Sequence, residues 1–196
     1  MRIAESELII NGDGSVFHLH LRPEELADNV ILVGDPGRVD MIAEYFDEKE
    51  FRHESREFVS VTGKYKGVRM TALSTGIGTD NIDIVMNELD ALANIDFGTR
   101  MVKDEFRQLE IVRIGTSGSL QADIPIGSKV IATKAIGFDG VLNFYAGRYE
   151  ACDLDFEHAL CEHVKWNPLW CKPYVVDADA ELVNRIGGND MIHGNT

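Results

Sequence analysis

Val30-Ile31-Leu32-Val33-Gly34-Asp35-Pro36-Gly37-Arg38 is the stretch that decides the fold. Four apolar, mostly β-branched residues are too few for a helix, and they stop at a Gly-Asp-Pro-Gly turn. That is how a buried strand reads. Beyond the turn, Val39, Ile42, Ala43 and Phe46 recur at i, i+3, i+4 and i+7, so the spacing predicts a helix from about Arg38 to Phe46. The same plan returns twice. Val68 to Ser74 runs into Thr75-Gly76-Ile77-Gly78 and a helix with Ile82, Val85, Met86, Leu89 and Ala93 as its buried stripe, capped by Thr79 or Asp80. Ile111-Val112-Arg113-Ile114 runs into Gly115-Thr116-Ser117-Gly118. Strands alternating with helices in this way predict an α/β protein.

Working outward, Phe58 to Gly63 forms a strand joined to Val68–Ser74 by a tight turn at Lys64-Tyr65-Lys66-Gly67. Residues 96–108 are polar and make an excursion outside the central sheet. Lys129 to Ile136 and Pro173 to Val176 are further strands, and Asp155–Val164 and Ala178–Ile186 are helical by pattern. No repeat, low-complexity tract or Pro/Ser-rich linker divides the chain, so residues 1–196 are expected to be one domain. Met191 to Thr196 reads as the start of a strand. Natural α/β domains rarely finish inside an element, so the expectation is a domain whose C-terminal part is missing.

The 196 residues are 44% hydrophobic, enough for a sizeable core and too many for intrinsic disorder. No apolar run reaches the roughly 20 residues of a membrane helix. The start, MRIAESELIINGDG, lacks the basic-then-apolar plan of a secretory signal. Nineteen basic side chains against 33 acidic ones leave a net charge of −14, spread over both halves, which argues against nucleic acid as a partner. A cytoplasmic protein without membrane partners is expected, one that binds anions only through a few focused arginines. Cys152, Cys161 and Cys171 are an odd number without a CxxC pair, so no disulfide framework is expected. His158, Cys161 and Glu162 would share a helix face, yet no second cluster completes a zinc site, and an amphipathic helix accounts for them.

The three glycine-rich junctions carry the chemistry. In open α/β sheets ligands sit at the carboxyl ends of the strands. Glycines there let the backbone approach, and exposed N–H groups favour anions. Arg38 and Arg113 add permanent planar cations suited to phosphate. Standard alternatives fail: Gly76-Ile77-Gly78-Thr79-Asp80-Asn81 opens like GxGxxG but has Asn81 at the third glycine position, and neither GxxxxGK[ST] nor GxSxG occurs.

FHL (17–19), GDPGR (34–38), SREF (55–58), STGIG (74–78) and RIGTSGSL (113–120), in this order, resemble the nucleoside phosphorylase-I family, most of all its uridine phosphorylases. The resemblance runs from about Val16 to the last residue. It implies a mixed, twisted sheet forming a distorted barrel flanked by helices, a three-layer α/β/α arrangement, with active sites at subunit interfaces. It also implies roles residue by residue. Gly34, Arg38 and Arg113 would hold phosphate, and Thr116 would bridge phosphate and ribose. Arg56 would reach the phosphate of the neighbouring subunit, and His18 the ribose 5′-hydroxyl there. Thr116, Ser117 and Gly118 would line the nucleoside pocket. The family can bind a monovalent cation near Glu57, Ile77 and Asn81, but Asn81 replaces the serine usual in the bacterial members, and no cofactor beyond phosphate as co-substrate is expected. Read without the resemblance, Arg56 could pair with Glu54 or Glu57, His18 could be an exposed or core histidine, and Asp35 is a turn former. Arg113, a charge within an apolar strand, needs a partner or a ligand.

Phosphorolysis suits such a site. Phosphate is already an anionic nucleophile, so the protein supplies positioning and charge stabilisation for an oxocarbenium-like transition state. A hydrolase attacking with water has no use for a cage of Arg38, Arg56 and Arg113. The resemblance places the base-recognising Gln and Arg, and the Met–Glu pair that grips the ribose hydroxyls, beyond Thr196. The chain is therefore expected to hold the phosphate half of a site and to have little activity alone. A purine nucleoside phosphorylase is the rival within the enzymes, and a truncated, non-catalytic anion-binding oligomerisation module the rival outside them. Action of Arg56 and His18 on a neighbour predicts at least a homodimer.

Overall fold

The computed structural model describes residues 2–196. The chain divides into two compact units, the first ending at Ser117 and the second running from Gly118 to Thr196.

The first unit contains β1 (Asn29–Val33), α1 (Pro36–Ala43), β2 (Glu48–Ser55), β3 (Phe58–Tyr65), β4 (Val68–Ser74), α2 (Thr79–Asn94), β5 (Ile95–Asp96), β6 (Met101–Val102) and β7 (Glu110–Arg113). Five strands form one mixed sheet in the order β2-β3-β4-β1-β7. β1 runs parallel to both β4 and β7, while β2, β3 and β4 pair antiparallel. Side-chain alternation sorts the core onto two faces. Val30, Leu32, Phe58 and Leu73 pack with Val85, Leu89 and Leu92 of α2 on one side. Val33, Val59, Val61 and Ala72 pack with Val39 and Ala43 of α1 on the other. Helix, sheet and helix thus make the three layers, and the α/β expectation holds.

Four local expectations change. β2, Glu-Lys-Glu-Phe-Arg-His-Glu-Ser, is a strand that the sequence pattern did not announce, because it is an edge strand with most of its side chains in solvent, where charge is favoured. The β3–β4 turn is only Lys66-Gly67, both with positive φ (48° and 80°), so β3 runs two residues further than expected, to Tyr65, while β4 keeps its expected bounds. Neither Thr79 nor Asp80 caps α2: Gly78, at φ 99°, holds the cap position without a side-chain bond. Met86 is exposed, and the buried stripe of α2 runs through Val85, Glu88, Leu89 and Leu92 instead. Residues 96–108 do leave the five-stranded sheet, and β5 and β6 form a small ladder of their own.

The second unit contains β8 (Val130–Gly137), a 3-10 turn (Val141–Phe144), α3 (Arg148–Ala151), α4 (Leu154–Val164), β9 (Tyr174–Asp177), α5 (Ala180–Ile186) and β10 (Ile192–Asn195). Its sheet has the order β10-β8-β9, with β10 parallel and β9 antiparallel to β8. Buried Arg148 donates to Glu157 Oε2 (2.9 Å) and Asn143 Oδ1 (2.7 Å), and the other Glu157 oxygen accepts from Val175 N–H (3.1 Å). His158 and Glu162 are an exposed pair one turn apart on α4. Among the described residues no helix is long and apolar enough to cross a membrane.

Candidate active site

The loops after β1, β4 and β7 meet because these strands are parallel neighbours. Val33 lies beside Ser74 and Leu32 beside Arg113, so all three chains leave the sheet at one edge. The ladder continues a step further: Thr75 N–H donates to Val33 O (2.8 Å) and Ile114 N–H to Leu32 O (2.8 Å). The loops enclose a cleft of about 660 Å³, lined by Gly34, Asp35, Pro36, Arg38, Glu57, Gly76, Ile77, Asn81, Arg113, Gly115 and Thr116. A Cβ on Gly34 would stand 3.6 Å from Gly76 O and 3.9 Å from Arg113 Nη2, which shows how closely the loops approach. Gly76 needs to be glycine for two reasons: its φ is 67°, and a Cβ would lie 2.6 Å from Glu57 Cγ.

The arginines divide sharply. Eight of the eleven arginines in the sequence have a carboxylate within ion-pair distance. Among the described residues only Arg38, Arg56 and Arg113 lack one. Acidic side chains outnumber basic ones by 14, so carboxylate partners are plentiful. Arg38, at the third position of α1, and Arg113, the last residue of β7, both line the cleft. Arg113 is not buried within its strand, contrary to expectation. β7 ends there, Ile114 already belongs to the loop, and the guanidinium folds back over Gly115 in an exposed position.

Both carboxylates of the cleft are engaged elsewhere. Asp35 caps α1 and accepts from Gly37 N–H (2.9 Å). Glu57 accepts from the Asn81 amide (2.8 Å), which also donates to Ile77 O (3.2 Å). Its own backbone N–H, and then the Asn81 amide, hold the Glu57 carboxyl below the usual carboxylate range, with Arg56 and His18 adding smaller effects. The Asn81 amide thus donates to the Glu57 carboxylate and to the Ile77 carbonyl, the groups near which the resemblance placed a monovalent cation.

The structure brings Gly34, Arg38, Arg113 and Thr116 together. Ser117 and Gly118 are exposed, and the lining stops at Thr116. Arg56 and His18 stand apart from the cleft but close to each other. Arg56, with φ 56°, lies over the Phe17 ring (5.9 Å), and the His18 ring meets Phe17 edge-on (4.9 Å). The His18 ring nitrogen Nδ1 lies 2.7 Å from Glu88 Oε1. Sequence reasoning missed Glu88, although a signal existed: it is a carboxylate on the same helix face as Val85, Leu89 and Leu92.

Parallel strands that deliver three glycine loops and two arginines to one edge define an α/β protein with a cleft at its strand ends. Residues 28–189 match the family described as the phosphorylase superfamily, and the chain belongs to that family. It is 34% identical over 152 residues to a uridine phosphorylase of Thermococcus kodakarensis, covering 76% of this chain and 50% of that protein. It is also 34% identical over 136 residues to a guanosine phosphorylase of Halorubrum lacusprofundi, covering 69% and 49%. The fold resembles a Trypanosoma brucei nucleoside phosphorylase described as showing uridine phosphorylase activity, with a TM-score of 0.76 at 27% identity, covering 96% of this chain and 67% of that one. The chain spans about half the length of the curated relatives it matches.

Proposed function

We propose that this chain carries the phosphate half of a nucleoside phosphorylase that converts uridine and phosphate to uracil and ribose 1-phosphate. The observation that carries the reading is the set of three arginines without a carboxylate partner among the described residues of a strongly acidic protein, two of them in the cleft. Gly34 and the Arg38 and Arg113 side chains hold phosphate, and Thr116 spans phosphate and ribose. The dianion, already nucleophilic, attacks the anomeric carbon as the bond to the base breaks. Its charge also stabilises the developing oxocarbenium. No group in the cleft has to act as base toward phosphate, and no cofactor is required. Arg56 and His18, side by side on Phe17 and outside the cleft, suit groups that complete a neighbour's site, so the working unit is at least a homodimer. A cytoplasmic setting suits these substrates.

Calorimetric titration tests the phosphate half directly: this chain should bind one phosphate and little uridine. A folded chain that binds no phosphate would defeat the reading. The similarity to a guanosine phosphorylase keeps purine nucleosides as the second reading. Release of uracil from uridine against guanine from guanosine, by the gene read to its natural stop, decides between them. Guanosine turnover well above uridine turnover would replace the first substrate by the second.

A further inference from the structure

Glu88 is buried on the apolar stripe of α2, yet it points at no cation of the helix or sheet. Its carboxylate instead receives the chain segment that carries His18. The backbone N–H of His18 donates to Oε1 (3.0 Å) and Oε2 (3.1 Å), the N–H of Leu19 to Oε2 (2.9 Å), and the imidazole Nδ1 faces Oε1 at 2.7 Å. A carboxylate only accepts, so at that distance Nδ1 must carry its proton. In the neutral ring Nε2 is then a bare acceptor. Nε2 has no hydrogen-bond partner among the described residues, and the His18 side chain is one-quarter exposed. The ring plane is fixed as well, by edge contacts with Phe17 and Phe58 at 4.9 and 6.3 Å.

We propose that Glu88 is a positioning residue: it locks His18 in the Nδ1–H tautomer and presents Nε2 as an acceptor for a nucleoside's free 5′-hydroxyl. The inference deepens, and rests on, the ribose role proposed above for His18. A 5′-hydroxyl has a proton to donate to Nε2.

Long-range proton–nitrogen correlation spectra of this chain read the tautomer without any turnover. His18 should show a protonated Nδ1 and an unprotonated Nε2, and Glu88→Gln should shift population toward Nε2–H. A wild-type ring protonated mainly on Nε2 overturns the proposal, whether or not the variant folds. In the gene product read to its natural stop, Glu88→Gln should lower kcat/KM for uridine about tenfold, the worth of one hydrogen bond. It should leave 5′-deoxyuridine, which lacks the hydroxyl, unchanged. Equal losses on both substrates would mean that Glu88 only braces the backbone, and would refute the positioning role. The His18→Ala variant separates the two layers. If it treats the two substrates as wild type does, the ribose assignment falls, whereas the spectra still report the hold of Glu88 on the ring.

Discussion

Arg113→Ala should weaken phosphate binding by tenfold to thirtyfold. A hydrogen bond to a charged group contributes about 1.5–3 kcal/mol, and the Arg113 guanidinium is exposed in an open cleft, so the lower part of that range applies: about 1.5–2 kcal/mol, or one to one and a half decades in Kd. No compensating repair is available within the cleft. Arg38 comes from a different loop, and the remaining charged neighbours are the carboxylates of Asp35 and Glu57. The fold should be indifferent to the change, because Arg113 makes no ion pair among the described residues and ends its strand. Isothermal titration with phosphate at constant ionic strength, beside a thermal melt, measures both effects. Arg38→Ala should match it, while Arg56→Ala, outside the cleft, should leave phosphate affinity of the isolated protomer unchanged. Unaltered phosphate affinity in Arg113→Ala, with the melt also unaltered, would refute the assignment of this cleft.

The remaining expectations concern stability. Gly63→Ala should cost about 3 kcal/mol or more in denaturant unfolding, because its Cβ would collide with the Glu48 carbonyl oxygen and stand 2.6 Å from Phe46 Cδ2 where β2 bulges against β3. Leu89→Ala, at the centre of the α2 stripe, should cost about 2–5 kcal/mol by the same assay. Arg148→Met leaves Glu157 buried without its cation and should cost about 3–5 kcal/mol, and adding Glu157→Met should recover much of the loss. Burial, and then the bond to Asp139, push the Tyr174 phenol up to about 12. An unfolded tyrosine ionises near pH 10. The folded state therefore keeps this advantage below about pH 10 and loses it as pH climbs through the folded value. Melts from pH 9 to 12 should fall more steeply for wild type than for Tyr174→Phe.

The sheet was legible where burial imposed a pattern. Val30–Val33 is apolar because β1 lies inside the sheet, Ile111 and Val112 are apolar on the half-buried β7 beside it, and the glycine turns mark where these parallel strands stop. β2 was not legible, since an edge strand in solvent has no reason to alternate and its charges read as a loop. The N-terminus of α2 misled because a capping side chain is the usual signal, whereas here Gly78 makes the turn through its backbone alone. The sequence also pointed to the residues of the cleft, because a glycine turn recurs at three strand ends and two of the three carry an arginine. What it could not supply was the environment of each arginine, which depends on pairings between segments far apart in the chain. Glu88 marks the same limit: its place on an apolar face is visible in the sequence, but its bond to a ring 70 residues away is not.

The unpaired arginines are informative because of what surrounds them. In a chain this acidic, a guanidinium near the surface finds a carboxylate by default, as Arg52 does with Asp40 and Arg69 with Glu50. Carboxylates stand in the cleft too, so Arg38 and Arg113 are not isolated by distance alone. They stay unpaired because Asp35 turns to the Gly37 N–H and Glu57 to the Asn81 amide. Each acid is satisfied by a neutral donor, which leaves the guanidiniums of Arg38 and Arg113 without a carboxylate partner among the described residues where the three loops open. Stability alone would favour closing those ion pairs, even at the modest worth of a surface pair. An arrangement that forgoes them twice in one cleft is better explained by an anion that enters and leaves. Phosphate, held by two planar cations and backbone from a glycine loop, fits that description.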